Sequence, residues 1–82
     1  MTTKPVMKYE YYLLGNSVPI RVVFDEEHRR IGAEVPAYET RDLSKDATYL
    51  SRLDNSFEVE AITLEQFDRH CERVWDARGL KA

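Results

Sequence analysis

The chain has 82 residues, of which 43% are hydrophobic and 33% charged, which is enough for one small folded domain and too few for two. Its net charge is −3, and no apolar run approaches the roughly 20 residues that a bilayer span needs. This composition excludes disordered polyelectrolytes and membrane proteins. We expect a single domain over residues 1–82, with a flexible lead at 1–6 and a tail at 80–82.

The acidic charge is concentrated in the middle of the chain. Residues 25–60 carry ten acids and five bases, whereas residues 1–24 have a net charge of +2 and residues 61–82 balance. Nucleic-acid binding needs a basic surface, which this distribution opposes. The N-terminus lacks the apolar segment of a secretory signal, and the single Cys71 excludes an intramolecular disulfide. We therefore expect a cytoplasmic protein.

The first predicted element is a β-hairpin around a Gly15-Asn16-Ser17 turn, in which two residues tolerate positive φ. Alternation on both strands leaves apolar side chains on both faces of the hairpin. Pro19 lacks an amide hydrogen, so its strand starts at an edge or its nitrogen points away from the ladder. One face is expected to carry Met7, Tyr9, Tyr11 and Leu13 with Val18, Ile20, Val22 and Phe24, and the other Tyr12, Leu14 and Val23.

Three further elements follow the hairpin. A solvated connection at 25–28 leads to a third strand over 29–35, which Pro36 ends. A short helix is predicted over 44–53, with Asp42 or Ser44 as its N-cap. Its apolar stripe is Leu43, Ala47, Leu50 and Leu53. A fourth strand over 57–62 is expected at an edge of the sheet, with Phe57, Val59 and Ala61 facing inward.

The last element is an amphipathic helix that begins at a capping box of Thr63 and Gln66 and ends at Gly79. Glu65 and Arg69 can pair four residues apart on its wet face. Its apolar stripe consists of Leu64, Phe67, Cys71, Val74 and Trp75. The sequence therefore predicts an α+β fold with the order β-β-β-α-β-α and the C-terminal helix packed on the sheet.

Catalytic, metal and cofactor chemistry find little support in the residue pattern. His70 and Cys71 point about 100° apart on a helix, and His28 is the only other histidine. Cys71 falls on the apolar stripe, where its thiol should be buried and inert. The three glycines are too far apart to form a phosphate cradle. We expect a protein without enzymatic activity, cofactor or metal.

Protein binding is the predicted function, as a regulator, adaptor or inhibitor. The second apolar face of the hairpin must be covered either by a helix or by another chain, including a second copy in a homodimer. We predict contact through Tyr12, Leu14 and Val23, with Arg21 setting the orientation of the partner.

Two alternative functions remain open. The first is weak binding of single-stranded nucleic acid, in which Tyr12 stacks on bases and Arg21, Arg29 and Arg30 hold phosphates. The second is a small-ligand or catalytic site between helix and sheet near His70, which would need a closed pocket and a perturbed histidine.

Overall fold

The computed structural model describes residues 6 and 8–80. The predicted lead and tail lie outside the described residues, apart from Val6 and Leu80. None of the helices in the described part of the chain is long and apolar enough to cross a membrane.

Alternating residues form five strands of one antiparallel sheet: β1 (Lys8–Leu14), β2 (Val18–Phe24), β3 (Arg30–Pro36), β4 (Leu43–Lys45) and β5 (Val59–Ile62). Their order across the sheet is β4-β3-β2-β1-β5, so β4 and β5 are its edges. The helices are α1 (Thr48–Asp54) and α2 (Leu64–Ala77). The predicted α+β class is confirmed, with the order β-β-β-β-α-β-α.

Strand β4 was not predicted, because Leu43 belongs to a stripe with helical spacing. It pairs instead with Pro36 across the ladder between β4 and β3. The predicted helix over 44–53 is therefore wrong at its start, and α1 begins only at Thr48. Neither Asp42 nor Ser44 caps it. The carboxylate of Asp46 accepts the Thr48 amide hydrogen at 3.1 Å, which satisfies one of the free donors of the first turn.

The hairpin turn sets the register of the two long strands. Gly15 and Asn16 both have positive φ, at 59° and 60°, as predicted. Because Leu14 lies opposite Val18, residues of equal parity share a face on β1 and β2. The predicted grouping of odd-numbered β1 residues with even-numbered β2 residues is therefore wrong. A three-residue connection places residues of equal parity opposite each other, so the error lay in the assignment of the faces and not in the predicted Gly15-Asn16-Ser17 turn.

Each face of the sheet is covered by one helix. On the α1 side, Tyr49, Leu50 and Leu53 pack against a core of Leu14, Ile20, Val22, Ala33 and Val35. On the α2 side, Phe67 and Cys71 are each 2% exposed, and the Phe67 ring lies 5.0 Å from that of Tyr11. Both apolar faces of the hairpin are thus partly shielded within the chain, although Tyr9 remains 41% exposed.

Both ends of α2 are closed by hydrogen bonds. Thr63 and Gln66 form the predicted capping box. At the other end Gly79 has a φ of 77°, and the amides of Gly79 and Leu80 donate to the carbonyls of Asp76 and Trp75. This is a Schellman motif. The predicted Glu65–Arg69 pair is present at 2.7 Å. Leu64 is 52% exposed, so the buried stripe starts at Phe67.

The connection between β2 and β3 is held by a buried carboxylate. Asp25 is only 1% exposed, and its Oδ1 accepts the amide hydrogens of Glu27 and Arg29 at 2.8 and 3.0 Å. The prediction that the whole connection is solvated is wrong for Asp25. A carboxylate that satisfies two turn amides can lie inside a fold, where an isolated one cannot.

The two helical layers meet at one end of the sheet. Strand β2 is central, and Pro19 avoids a lost hydrogen bond because the β2–β3 ladder begins only at Arg21, opposite Glu34. Beyond this point a cavity of about 60 Å³ is lined by side chains from both layers. They include Tyr49 from α1 and Val74 from α2.

Candidate protein-binding surface

The four predicted partner residues do not form one surface. Tyr12 and Leu14 lie on the α1 side, whereas Arg21 and Val23 lie on the α2 side. Leu14 and Val23 are each 8% exposed, so they pack inside the domain. The parity error in the predicted hairpin explains why these residues were grouped. Whether any of them contacts a partner stays a prediction.

Tyr12, like Leu14, lies on β1, next to the edge strand β5. It is half-buried and lies opposite Ala61 of β5. Its hydroxyl donates to the Glu10 carboxylate at 2.7 Å. This hydrogen bond, helped by burial, raises the pKa of Tyr12, and it also lowers the pKa of Glu10. The phenol is therefore fixed in place and remains protonated at neutral pH.

Next to Tyr12, α1 leaves part of the sheet open. The helix has seven residues, about 10 Å of length, and cannot cover the whole face. The resulting groove, with a cavity of about 170 Å³, is lined by Tyr12, Val22, Phe24, Arg30, Leu53, Asp54 and Val59. Arg30 closes one end with two hydrogen bonds to Asp54, at 2.9 and 2.7 Å. They hold the pKa of Asp54 below its usual value.

Arg21 is engaged within the domain. Its Nε donates to Glu34 at 2.7 Å, and its guanidinium stacks 4.3 Å from the centre of the Tyr9 ring. The charge that was predicted to orient a partner is thus compensated by a neighbouring strand. A partner on the α2 side would have to compete with this ion pair.

The arginines that the nucleic-acid alternative needs are also paired with carboxylates. Arg30 is bound to Asp54, and Arg29 lies 3.3 Å from Glu27. Tyr12 and Arg21 are on opposite faces of the sheet. Of the three arginines predicted to hold phosphates, only Arg30 lines a groove with Tyr12, and its guanidinium is already paired with Asp54.

The surroundings of His70 and Cys71 give little support to the small-ligand alternative. A cavity of about 230 Å³ beside α2 is lined by Leu43, Phe67, Asp68, Cys71, Glu72 and Trp75, and it does not include His70. Burial raises the pKa of the Cys71 thiol to about 12, so the thiol is protonated at neutral pH. Among residues 6 and 8–80, no group of three or more His, Cys, Asp or Glu is placed to hold a metal ion.

The outer edge of β5 carries hydrogen-bonding groups that point away from the sheet. The Gly15 amide donates to the Glu58 carbonyl at 2.7 Å, which fixes the alternation along the strand. In antiparallel pairing the peptide groups of successive residues point to opposite sides. The N–H and C=O groups of Val59 and Ala61 therefore face outward, where the sheet ends.

A fully exposed aromatic residue precedes this edge. Phe57 has a relative exposure of 106%, so the prediction that it faces inward is wrong. It lies in a bend, and the Glu58 amide donates to the Ser56 hydroxyl rather than to a strand. Strand alternation therefore begins only after Phe57. We call the edge from Phe57 to Ala61, with its side chains and outward peptide groups, the β5 surface.

Comparisons with known proteins add no relative. No family model, no curated protein and no solved structure matches this chain.

Proposed function

We propose that this is a non-catalytic, cytoplasmic protein that acts by binding another protein, and that it does so by accepting an extended segment of its partner as a sixth strand on β5. The observation that carries this proposal is the fully exposed Phe57 beside the outward peptide groups of Val59 and Ala61. The lone Cys71 supports a reducing compartment.

Strand addition would satisfy groups that water now solvates. A segment lying along β5 can form up to four backbone hydrogen bonds with Val59 and Ala61. Burying a phenylalanine side chain contributes about 1.5–3 kcal/mol. Phe57 can supply that amount because its ring contributes nothing to the core of the free domain.

The β5 surface does not include the predicted contact residues. Tyr12 lies opposite Ala61 on the same face of the sheet, but it belongs to β1, so β5 separates it from a strand added at the outer edge. Leu14 and Val23 stay in the interior, and Arg21 keeps its ion pair on the other face. Strand addition on β5 would therefore use the β5 surface in place of the four predicted contact residues.

The test uses a displayed library of random eight-residue peptides. Selected binders should slow hydrogen exchange at the Val59 and Ala61 amides. The Ala61→Pro variant should lose the binders, because it removes an outward donor at a position where an edge strand tolerates proline. The matched control is Lys45→Pro, since the Lys45 amide also points outward, on the opposite edge at β4.

Both variants should retain the circular dichroism spectrum and unfolding cooperativity of the natural protein. Binders that protect other amides, or that bind Ala61→Pro as well as Lys45→Pro, would contradict strand addition at β5.

A further inference from the structure

We infer that the segment which docks on β5 is a basic amphipathic strand, in which Lys or Arg alternates with apolar residues. This inference rests on the proposed function and adds the chemistry of the partner. It follows from the way in which the side chains of β5 divide between the two faces of the sheet.

The two faces of the β5 edge differ in chemistry. Val59 packs with the α1-side core, and Ala61 lies opposite Tyr12 on that same face. Glu58 and Glu60 project to the other face and are exposed. A neighbouring strand has the same alternation whether it runs parallel or antiparallel. Its apolar residues would therefore adjoin Val59 and Ala61, and its alternate residues would adjoin the two glutamates.

The chain segment that contains this edge is acidic. Residues 53–68 contain five acids and neither Lys nor Arg. One of these acids, Asp54, is compensated by Arg30, and Glu65 pairs with Arg69. Glu58 and Glu60 have no cation opposite them on β1, where the facing residues are Gly15 and Leu13. A cationic strand would place positive charges beside Glu58 and Glu60, which β1 does not do.

The same charges argue against a second copy of this chain on the edge. Two β5 strands in antiparallel contact would bring four glutamates into one short ladder, and like charges in adjacent strands destabilise a pair. Outward-facing charge is a common device that keeps an edge from pairing with itself. We therefore expect the protein to sediment as a monomer at micromolar concentration.

The probe is an acetylated and amidated peptide, Lys-Val-Lys-Val-Lys-Val-Lys. Its controls are Lys-Lys-Val-Val-Val-Lys-Lys, which has the same composition without alternation, and Thr-Val-Thr-Val-Thr-Val-Thr, which has alternation without charge. Binding is followed by amide chemical shifts and by hydrogen exchange. The alternating lysine peptide should bind about three- to tenfold more tightly than either control, since two new charge pairs form beside the backbone bonds.

Charge reversal at the edge completes the test. The Glu58→Lys/Glu60→Lys variant should lose about tenfold in affinity for the lysine peptide and gain affinity for Glu-Val-Glu-Val-Glu-Val-Glu. The matched control is Glu26→Lys/Glu27→Lys, which changes the net charge equally in the exposed turn between β2 and β3. This control should leave the affinity within about twofold.

The possible failures are distinguishable. If the threonine peptide binds as tightly as the lysine peptide and protects Val59 and Ala61, strand addition stands and the basic partner is overturned. If the non-alternating lysine peptide binds equally well, the attraction is non-specific and the inference is overturned. If no peptide protects these amides, strand addition fails as well. A dimer that Ala61→Pro dissociates would identify the occupant as a second copy and overturn the basic strand.

Discussion

The helices that cover the two faces of the sheet differ in length, in capping and in the burial of their side chains. Helix α2 has fourteen residues, a capping box, a Schellman motif, and two side chains that are almost completely buried. Helix α1 has seven residues, none of them buried, and is attached at its end by the Arg30–Asp54 pair. An isolated helix of either length is marginal in water, so packing must stabilise both. The comparison indicates that α2 anchors the domain and that α1 only partly closes its face.

The largest difference between the two sides should appear in core truncations. Phe67→Ala should lower the free energy of unfolding by about 3–5 kcal/mol, because it empties a fully buried site beneath α2. Leu53→Ala, at a half-buried site on α1, should cost about 1–2 kcal/mol. Urea denaturation followed by circular dichroism measures both values. If Phe67→Ala does not fold, Phe67→Leu gives a smaller loss at the same site. Equal costs on the two sides would contradict the asymmetry.

A smaller effect is expected at the helix starts. Thr63→Ala removes the hydroxyl that accepts the Gln66 amide and should cost about 1 kcal/mol of global stability. Asp46→Ala removes the equivalent acceptor for the Thr48 amide. We expect this change to make local opening of α1 easier and to leave global stability nearly unchanged. Native-state hydrogen exchange separates the two outcomes. A loss of protection in α2 after the Asp46→Ala change would contradict the view that α1 opens by itself.

The smallest effect concerns the ion pair that holds the end of α1. Arg30 lowers the pKa of Asp54, so the pair stabilises the fold above the pKa of the unfolded aspartate, about 3.9. That contribution is lost as the pH falls through the lower pKa of the folded state. Between pH 5 and pH 2 the natural protein should therefore lose slightly more stability than Arg30→Gln. Urea titrations at each pH, with the Asp54 carboxyl shift followed by NMR, provide the measurement. If the natural protein and Arg30→Gln lose the same amount of stability between pH 5 and pH 2, the ion pair does not have this role.

Much of the fold could be predicted because local patterns and tertiary structure agree. Strand β2 has the predicted limits, and α2 starts at the predicted capping box, since period, turn residues and caps all favour the same elements. Strand β4 could not be predicted, because its three residues match a helical stripe and only pairing with β3 makes them extended. Such a non-local contact leaves no periodic signal in so short a segment.

The candidate surface was less accessible to sequence reasoning for two physical reasons. The parity of the hairpin decides which side chains meet, and an error of one residue moved Arg21 and Val23 onto the face of Tyr12. Phe57 was assigned to a strand face because a phenylalanine before alternating residues is typical of a buried strand. Phe57 lies instead in a bend, in which the Glu58 amide donates to the Ser56 hydroxyl. The run of acids with no intervening base in 53–68 is the sequence signal that corresponds to the proposed binding edge.

The cavity in which Tyr49 and Val74 meet joins two layers that the sheet otherwise separates. Because the ladder between β2 and β3 does not extend past Arg21 and Glu34, no continuous wall of backbone insulates one layer from the other there. Strain introduced under one helix can therefore reach the other without crossing a strand. The long helix and the short one are therefore in contact through the packing at that end, while the opposite end of α1, at Asp54, is held by its ion pair with Arg30.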